Sequence, residues 1–267
     1  MDRSPWRPHG HALLDYFRGD HSAEVRVHEE GGDSEVVPAR VFFRGPAEFS
    51  PLEEAAVDVC RGRVLDAGAG TGCHTLVLQD LGLSVCAIDV APEAVEIMRR
   101  RGVRDARCAE LFQFHGGPFD TILMMMNGIG VVGTLQGLDR FLGEIPRLLA
   151  PEGQIILDSY DPWTERGGDN PAAATDSSRS GGQSEARYPG EMRFQLEYKG
   201  RRGPTLAWLF VDPETLLAHA ERAGWRCEIL WREEEGHYLA RLIHSRHACS
   251  GSSRKGRGYL RRRQIGR

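Results

Sequence analysis

A chain of 267 residues with 40% hydrophobic and 27% charged residues has ordinary globular composition, which argues against wholesale disorder and leaves room for one large core. Its longest apolar stretches, such as Thr121–Met126, fall far short of the roughly 20 residues that cross a bilayer. The first ten residues carry Pro, Arg and His instead of an apolar leader, so neither membrane insertion nor export is expected. The net charge of −4 is uneven: eight Lys or Arg residues and no carboxylate follow His244. The remainder is therefore more acidic than the total and suits nucleic acid poorly. Six scattered cysteines without a C-x-x-C pair read as reduced thiols of a cytoplasmic protein, and no metal-ligand set is expected.

In chain order, residues 1–61 read as an N-terminal extension. His11–Arg18 is a short helix, and Glu24–Val27 and Val36–Phe43 alternate like two strands around Gly31-Gly32-Asp33. Ser50-Pro51 followed by Glu53 and Glu54 marks a helix start. From Arg63 the pattern becomes strand, turn and helix, repeated. Strands are expected at Val64–Ala67, Ser84–Asp89, Ala106–Ala109, Phe119–Met126 and Gln154–Tyr160, with helices to Leu81 and over Pro92–Arg101 and Leu138–Leu149. Such alternation argues for a parallel sheet covered on both faces. The stretch 161–190 is rich in Gly, Ser, Ala and Pro and reads as a flexible insertion, followed by a hairpin over 191–211. A helix from Asp212-Pro213 to Ala223 and strands at Trp225–Trp231 and Tyr238–Ile243 complete a domain spanning 62–243. The basic tail, 244–267, is expected to be disordered.

The informative stretch is Val64–Gly72, with Asp89 ending the next strand. Glycines where a strand turns into a helix let a ligand approach the backbone, and the helix start offers free N–H groups. An acid about 20 residues further on can accept both ribose hydroxyls of an adenosine-containing cofactor. Two details separate the cofactors. The third glycine of the dinucleotide pattern G-x-G-x-x-G would fall at Cys73, so that pattern fails. Asp66 would sit near a dinucleotide's pyrophosphate and repel it by ~4 kcal/mol at 4 Å and an effective dielectric of about 20. The same carboxylate suits a cofactor bearing an ammonium and a sulfonium and no phosphate, as in S-adenosylmethionine.

On these residues the sequence resembles the class I S-adenosylmethionine-dependent methyltransferases. The resemblance rests on D-x-G-x-G-x-G (Asp66, Gly68, Gly70, Gly72), Asp89 with Pro92–Arg101, Phe119-Asp120 and Leu148–Gly153. It is close over Arg63–Tyr160 and looser over Trp208–Ile243. It implies an α/β, Rossmann-like seven-stranded, mostly parallel sheet with helices on both faces and an antiparallel last strand. The N-terminal extension and the inserted hairpin would be additions to that sheet, of the size of lids. Carried over by position, it places Asp66, Ala67, Gly68, Gly70, Thr71 and Gly72 against the cofactor's methionine end. Asp89 and Val90 fall at the ribose, and Glu110 and Leu111 flank the adenine. Asn127 ends the fourth strand, where methyl transfer begins in the family. The N/D-P-P-Y/F motif of nucleic-acid and protein-glutamine methylases is replaced there by Asn127-Gly128-Ile129-Gly130.

Asn127, Asp158 and Tyr160 are the candidate catalytic residues, as groups that orient the acceptor or take its proton. Asp161 is a further candidate at the same crevice. Each has a plainer alternative: Asn127 capping the next segment, Glu110 as a solvated carboxylate, Met124–Met126 as core. Tyr16, Phe17, Phe42 and Phe43 read as packing under the extension, and Trp163 as an aromatic poised to close over a substrate. The expected activity is methyl transfer from S-adenosylmethionine to a small-molecule acceptor. Its rivals are RNA methylation through the basic tail, a cofactor-binding module without turnover, and a nicotinamide oxidoreductase, which Cys73 and Asp66 disfavour. The acceptor and the oligomeric state are left open by the sequence.

Overall fold

The computed structural model describes residues 4–164 and 187–244. The greater part of the insertion and the basic tail from 245 onward thus lie outside the described residues. In chain order the elements are α1 (Arg7–Phe17), β1 (Glu24–Glu29), β2 (Ser34–Pro38), α2 (Pro51–Val59), β3 (Arg63–Ala67) and α3 (Cys73–Asp80). There follow β4 (Ser84–Asp89), α4 (Pro92–Arg101), β5 (Ala106–Cys108), β6 (Phe119–Met124), α5 (Leu135–Glu144) and β7 (Leu149–Tyr160). The last are β8 (Glu191–Tyr198), β9 (Arg201–Arg202), β10 (Leu206–Leu209), α6 (Pro213–Arg222), β11 (Trp225–Arg232) and β12 (His237–His244).

Seven strands form one sheet in the order β11-β12-β7-β6-β3-β4-β5. Strands β5, β4, β3, β6 and β7 pair in parallel, and the final strand β12 runs antiparallel to both of its neighbours. This is the expected Rossmann-like architecture. Successive residues of a strand point to opposite faces, so both faces of the central strands must be apolar. Leu65, Ile122 and Ile155 pack with Leu138, Phe141 and Leu142 of α5 and Leu216 and Ala220 of α6. Their chain neighbours Val64, Leu123 and Ile156 pack with Leu52 and Ala56 of α2 and Leu78 of α3 on the other side.

The N-terminal hairpin and the inserted strands are not separate additions. They form a second sheet in the order β10-β8-β1-β2, with β9 on β8, in which Val27 lies opposite Leu196 and Arg26 opposite Glu197. Helix α1 is sandwiched between this sheet and α4: Ala12 and Leu13 pack with Ala94 and Ile97 below and with Val25 and Leu196 above. At Gly10 a Cβ would come within 2.6 Å of Glu93 Oε2, so only glycine lets the helices approach this closely.

Several boundaries differ from expectation. The second strand stops at Pro38 and gives way to a 3-10 turn, Ala39–Phe42, because proline has no N–H with which to continue the ladder. The helix expected over Leu138–Leu149 starts earlier, at Leu135, where the Thr134 hydroxyl accepts the Gly137 N–H at 3.0 Å. It also ends earlier, at Glu144, before Pro146, which can extend it only as a 3-10 turn. Strand β6 ends at Met124, since Met126 and Asn127 adopt φ of 60° and 57°, left-handed values that no strand tolerates. No helix among the described residues is long and apolar enough to cross a membrane.

Candidate active site

Strands β4, β3, β6 and β7 are neighbours that run in parallel, so their carboxyl ends lie along one edge of the sheet, and the sequence-selected residues sit at or just beyond those ends. The turn after β3 places Gly68, Gly70 and Gly72 at φ of 78°, 56° and 85°. Left-handed backbone favours glycine at all three. A Cβ at Gly72 would come within 2.9 Å of Val103, whereas at Gly68 and Gly70 nothing lies within 4 Å. One turn therefore has a packed end and an open end, and the open end is the cradle a ligand would fill.

Asp89 secures the open end. Its Oδ2 accepts the Gly70 N–H at 2.9 Å and its Oδ1 the Ala91 N–H at 2.8 Å. Burial raises its carboxyl pKa to about 6 against the opposing pull of those N–H groups. Each oxygen keeps a further lone pair for a hydroxyl donor. The neighbouring Val90 is half-buried, and its carbonyl lies 3.6 Å from the Cys108 thiol. Glu110 is used locally: both carboxylate oxygens accept N–H groups, of Phe112 at 3.0 Å and Gln113 at 3.1 Å, capping the turn Leu111–Gln113. Leu111 itself is part of the core.

Asp66 is buried at the end of β3, where its Oδ2 accepts the Thr75 hydroxyl at 2.5 Å and burial raises its pKa. Beside it lies a group of residues that sequence reasoning missed. His74 Nε2 is 3.0 Å from Glu53 Oε1, and Glu53 takes a bidentate pair of 2.8 Å contacts from Arg44. Burial would raise the Glu53 pKa, but His74, the Ser50 N–H and Arg44 outweigh it and hold the carboxylate near 2. The imidazole of His74 acts electrostatically on both Asp66 and Asp158. The one sequence signal was Ser50-x-x-Glu53, a capping box that does form, with the Glu53 N–H on Ser50 Oγ at 3.2 Å. It marked Glu53 as a cap and gave no hint of its ion partners.

Across the crevice, the backbone N–H of Asn127 donates to Asp158 Oδ1 at 2.9 Å, and burial raises Asp158 to about 6. The Asn127 side-chain oxygen is buried with no hydrogen-bond partner among the described residues. Tyr160 packs its ring against His237 at 5.1 Å and Phe210 at 6.1 Å. Asp161 accepts the Trp163 N–H at 2.9 Å, so Trp163 belongs to a short turn at the end of β7. The structure thus joins Asn127 to Asp158 directly and sets Tyr160 on the aromatic side of the opening.

The Thr71 hydroxyl donates to the carbonyl of Phe42 and accepts from Arg101 Nη1 at 2.7 Å. Thr71 thereby ties the glycine turn to the N-terminal segment. Tyr16 and Phe17 pack on Phe43 as expected, with ring centroids 4.7 and 6.3 Å away. Phe42 instead faces His9 edge-on at 4.6 Å.

Known proteins share this arrangement. Residues 65–157 match the methyltransferase domain family. Demethylmenaquinone methyltransferase of Clavibacter sepedonicus is 31% identical over 125 residues, 43% of this chain and 49% of that protein. Malonyl-[acyl-carrier protein] O-methyltransferase of Halorhodospira halophila is 32% identical over 108 residues, 38% and 36% of the two chains. The chain thus spans about half or less of the length of the curated relatives it matches. Streptomyces venezuelae DesVI, 16% identical with a TM-score of 0.54 over 77% of this chain and 96% of its own, shares the fold. A S-adenosylmethionine-dependent methyltransferase from Bacteroides fragilis, solved with S-adenosylhomocysteine, superposes with a TM-score of 0.76 at 35% identity, over 90% of this chain and 96% of its own. With that likeness along nearly its whole length, and a glycine turn open above Asp89, this chain belongs to the S-adenosylmethionine-dependent methyltransferases and S-adenosylmethionine is its cofactor.

Proposed function

We propose that the chain moves the cofactor's methyl group to a nucleophilic O, N, S or C atom of a small-molecule acceptor. The open positions at Gly68 and Gly70, directly above the Asp89 carboxylate, carry this reading. In it, the backbone from Asp66 through Ala67 and Thr71 to Gly72 receives the methionine end, with Asp66 as counter-charge for the ammonium. Asp89, with Val90 beside it, takes the ribose hydroxyls. Glu110 and Leu111 border the adenine through their backbone, since the Glu110 carboxylate already caps a turn.

Bound S-adenosylmethionine supplies a methyl on a sulfonium, a leaving group that needs no acid. When bound, that sulfonium would take the electrons of its S–C bond as the acceptor's lone pair formed the new bond to carbon, and an acceptor proton, where there is one, would pass to a nearby base or to solvent once the product leaves. The protein's share is alignment at about 3–3.5 Å and exclusion of water. Asn127 is placed to orient the acceptor through its unpartnered amide oxygen, which Asp158 steadies by holding the Asn127 backbone. Tyr160 borders the acceptor's path. Proton removal is needed only for a hydroxyl or carbon acid. A small acceptor is favoured because the N-terminal segment reaches the glycine turn at Thr71 and the second sheet reaches Gly130 beyond β6. A cytoplasmic setting accords with five described cysteines that are free thiols.

Calorimetric titration with S-adenosylmethionine, S-adenosylhomocysteine and NADH tests the cofactor half. The first two should bind and NADH should not. Asp89→Ala should weaken both by ~1–3 kcal/mol, the worth of hydrogen bonds to a charged group. Equal binding by the variant would remove Asp89 from the site.

A further inference from the structure

The second sheet has an apolar face that the core does not exhaust. Residues opposite each other on antiparallel strands share a face, and here Phe194 lies opposite Leu206 and Met192 opposite Trp208. Leu196 and Leu206 of this face pack onto the cluster around α1. Trp208 belongs to none of the core clusters and is half-buried. Its indole lies against Gly130, where a Cβ would clash with the ring, and it meets Trp6 edge-on at 5.6 Å. Gly130 is three residues beyond Asn127 and donates its N–H to the Asn127 carbonyl at 2.9 Å. Trp208 is therefore anchored at the end of β6.

The opposite anchor is Phe42, whose carbonyl accepts from the Thr71 hydroxyl and from the Cys73 thiol at 3.0 Å. His9 closes the span between them, 4.6 Å from Phe42 and 6.1 Å from Trp6. An aromatic arch of Phe42, His9, Trp6 and Trp208 thus runs from the glycine turn to the Asn127 loop. His9 has no hydrogen-bond partner among the described residues, and burial pushes its imidazole down to about 4. At neutral pH it carries a free lone pair and no charge.

We propose that the arch binds a planar aromatic acceptor, with Trp208 and Trp6 against the ring and His9 accepting a hydrogen bond from a ring O–H or N–H. This rests on the methyltransferase reading and adds the acceptor's chemical class. Flat rings and indole edges match in shape and quadrupole, and an unpaired neutral imidazole discriminates for a donor.

Three probes separate the elements, titrated calorimetrically into protein saturated with S-adenosylhomocysteine: 2-naphthol, 2-methoxynaphthalene and decahydro-2-naphthol. The first should bind at least about 10-fold tighter than the saturated alcohol, and about 3–10-fold tighter than the methyl ether, the worth of one neutral hydrogen bond. Trp208→Ala should collapse the first ratio and His9→Ala the second, each with S-adenosylhomocysteine affinity within twofold of wild type as the check on folding. No binding by any probe, a saturated alcohol that binds as well, or a second ratio untouched by His9→Ala overturns the proposal. Failure to bind S-adenosylhomocysteine would instead strike the underlying reading, so the two failures are distinguishable.

Discussion

The two walls of the crevice are built differently. The cofactor wall comes from a continuous stretch, Asp66 to Leu111, and is fixed by short-range backbone bonds such as Gly68 N–H and Ala69 N–H to the Ile88 carbonyl at 2.9 and 3.0 Å. The proposed acceptor wall gathers Trp6 and His9, Phe42, Asn127 and Trp208 from four separate segments, with ring contacts joining the four aromatic residues. A wall made of backbone specifies one ligand and tolerates little variation. A wall made of side chains on appended elements can change its ligand without disturbing the fold. On the proposed reading, the first would serve a cofactor common to a family, and the second an acceptor particular to one member.

The sharpest way to break this contrast is to cut the residue that links the walls. Arg44 belongs to the N-terminal segment and His74 to the cofactor helix, and Glu53 holds both. Glu53→Leu takes the carboxylate from the buried His74 and the half-buried Arg44 and should cost ~3–5 kcal/mol. A fall in thermal midpoint of roughly 6–15 °C is expected, and a shift under 2 °C would show the link to be dispensable. Next in size, Gly130→Ala drives a Cβ into Trp208, an overpacking worth about 1–3 kcal/mol. It should distort the acceptor wall while S-adenosylhomocysteine affinity stays within twofold, and parallel loss of cofactor binding would mean the walls are not independent.

A smaller effect should appear with pH. Asp89 titrates near 6 in the free protein, so cofactor affinity should fall by up to about tenfold per unit below pH 6, and Asp89→Asn should flatten that limb. Stability moves in two windows. Asp89 and Asp158, raised to about 6, bind protons more tightly folded than unfolded, so their contribution is present below pH 4 and lost as pH rises through 6. Glu53, depressed to about 2, contributes fully above pH 4.5 and loses that as pH falls toward 2. The smallest change lies away from both walls: Thr134→Ala removes the α5 cap and should cost ~1 kcal/mol in denaturant unfolding with cofactor binding intact.

The same contrast explains what the sequence disclosed. The alternation of strands and helices, and the glycines flanked by Asp66 and Asp89, are local signals: the first argues for a parallel sheet, and the family resemblance carried by the second implies the seven strands and antiparallel last strand that are found. Long-range pairing leaves no such mark. Nothing in Glu24–Glu29 announces that it will pair with Glu191–Tyr198, and the apolar alternation that suggested a strand through Phe43 could not show Pro38 ending the ladder. His74 and Glu53 were visible only as an ordinary histidine and a helix cap, because their meeting depends on how α2 and α3 pack. Trp208 gave no signal beyond hairpin alternation, and its place over Gly130 exists only once the second sheet has formed.

That sheet also sets an order of assembly. His28 of β1 and Glu197 of β8, 2.9 Å apart when folded, are 169 residues apart in the chain. At ribosomal speeds of about 5–20 residues per second, β1 would wait roughly 10–35 s for its partner. Throughout that interval one edge of the β1–β2 ribbon is unpaired, the condition under which strands find partners on other chains. Its charged positions Glu24, Arg26, His28 and Glu29 are suited to guard that edge. The core beneath the glycine turn waits as well, since Leu65, Ala67 and Ile88 share one cluster with Leu209, Leu216 and Tyr238, so both halves of the site are completed only by the last third of the chain.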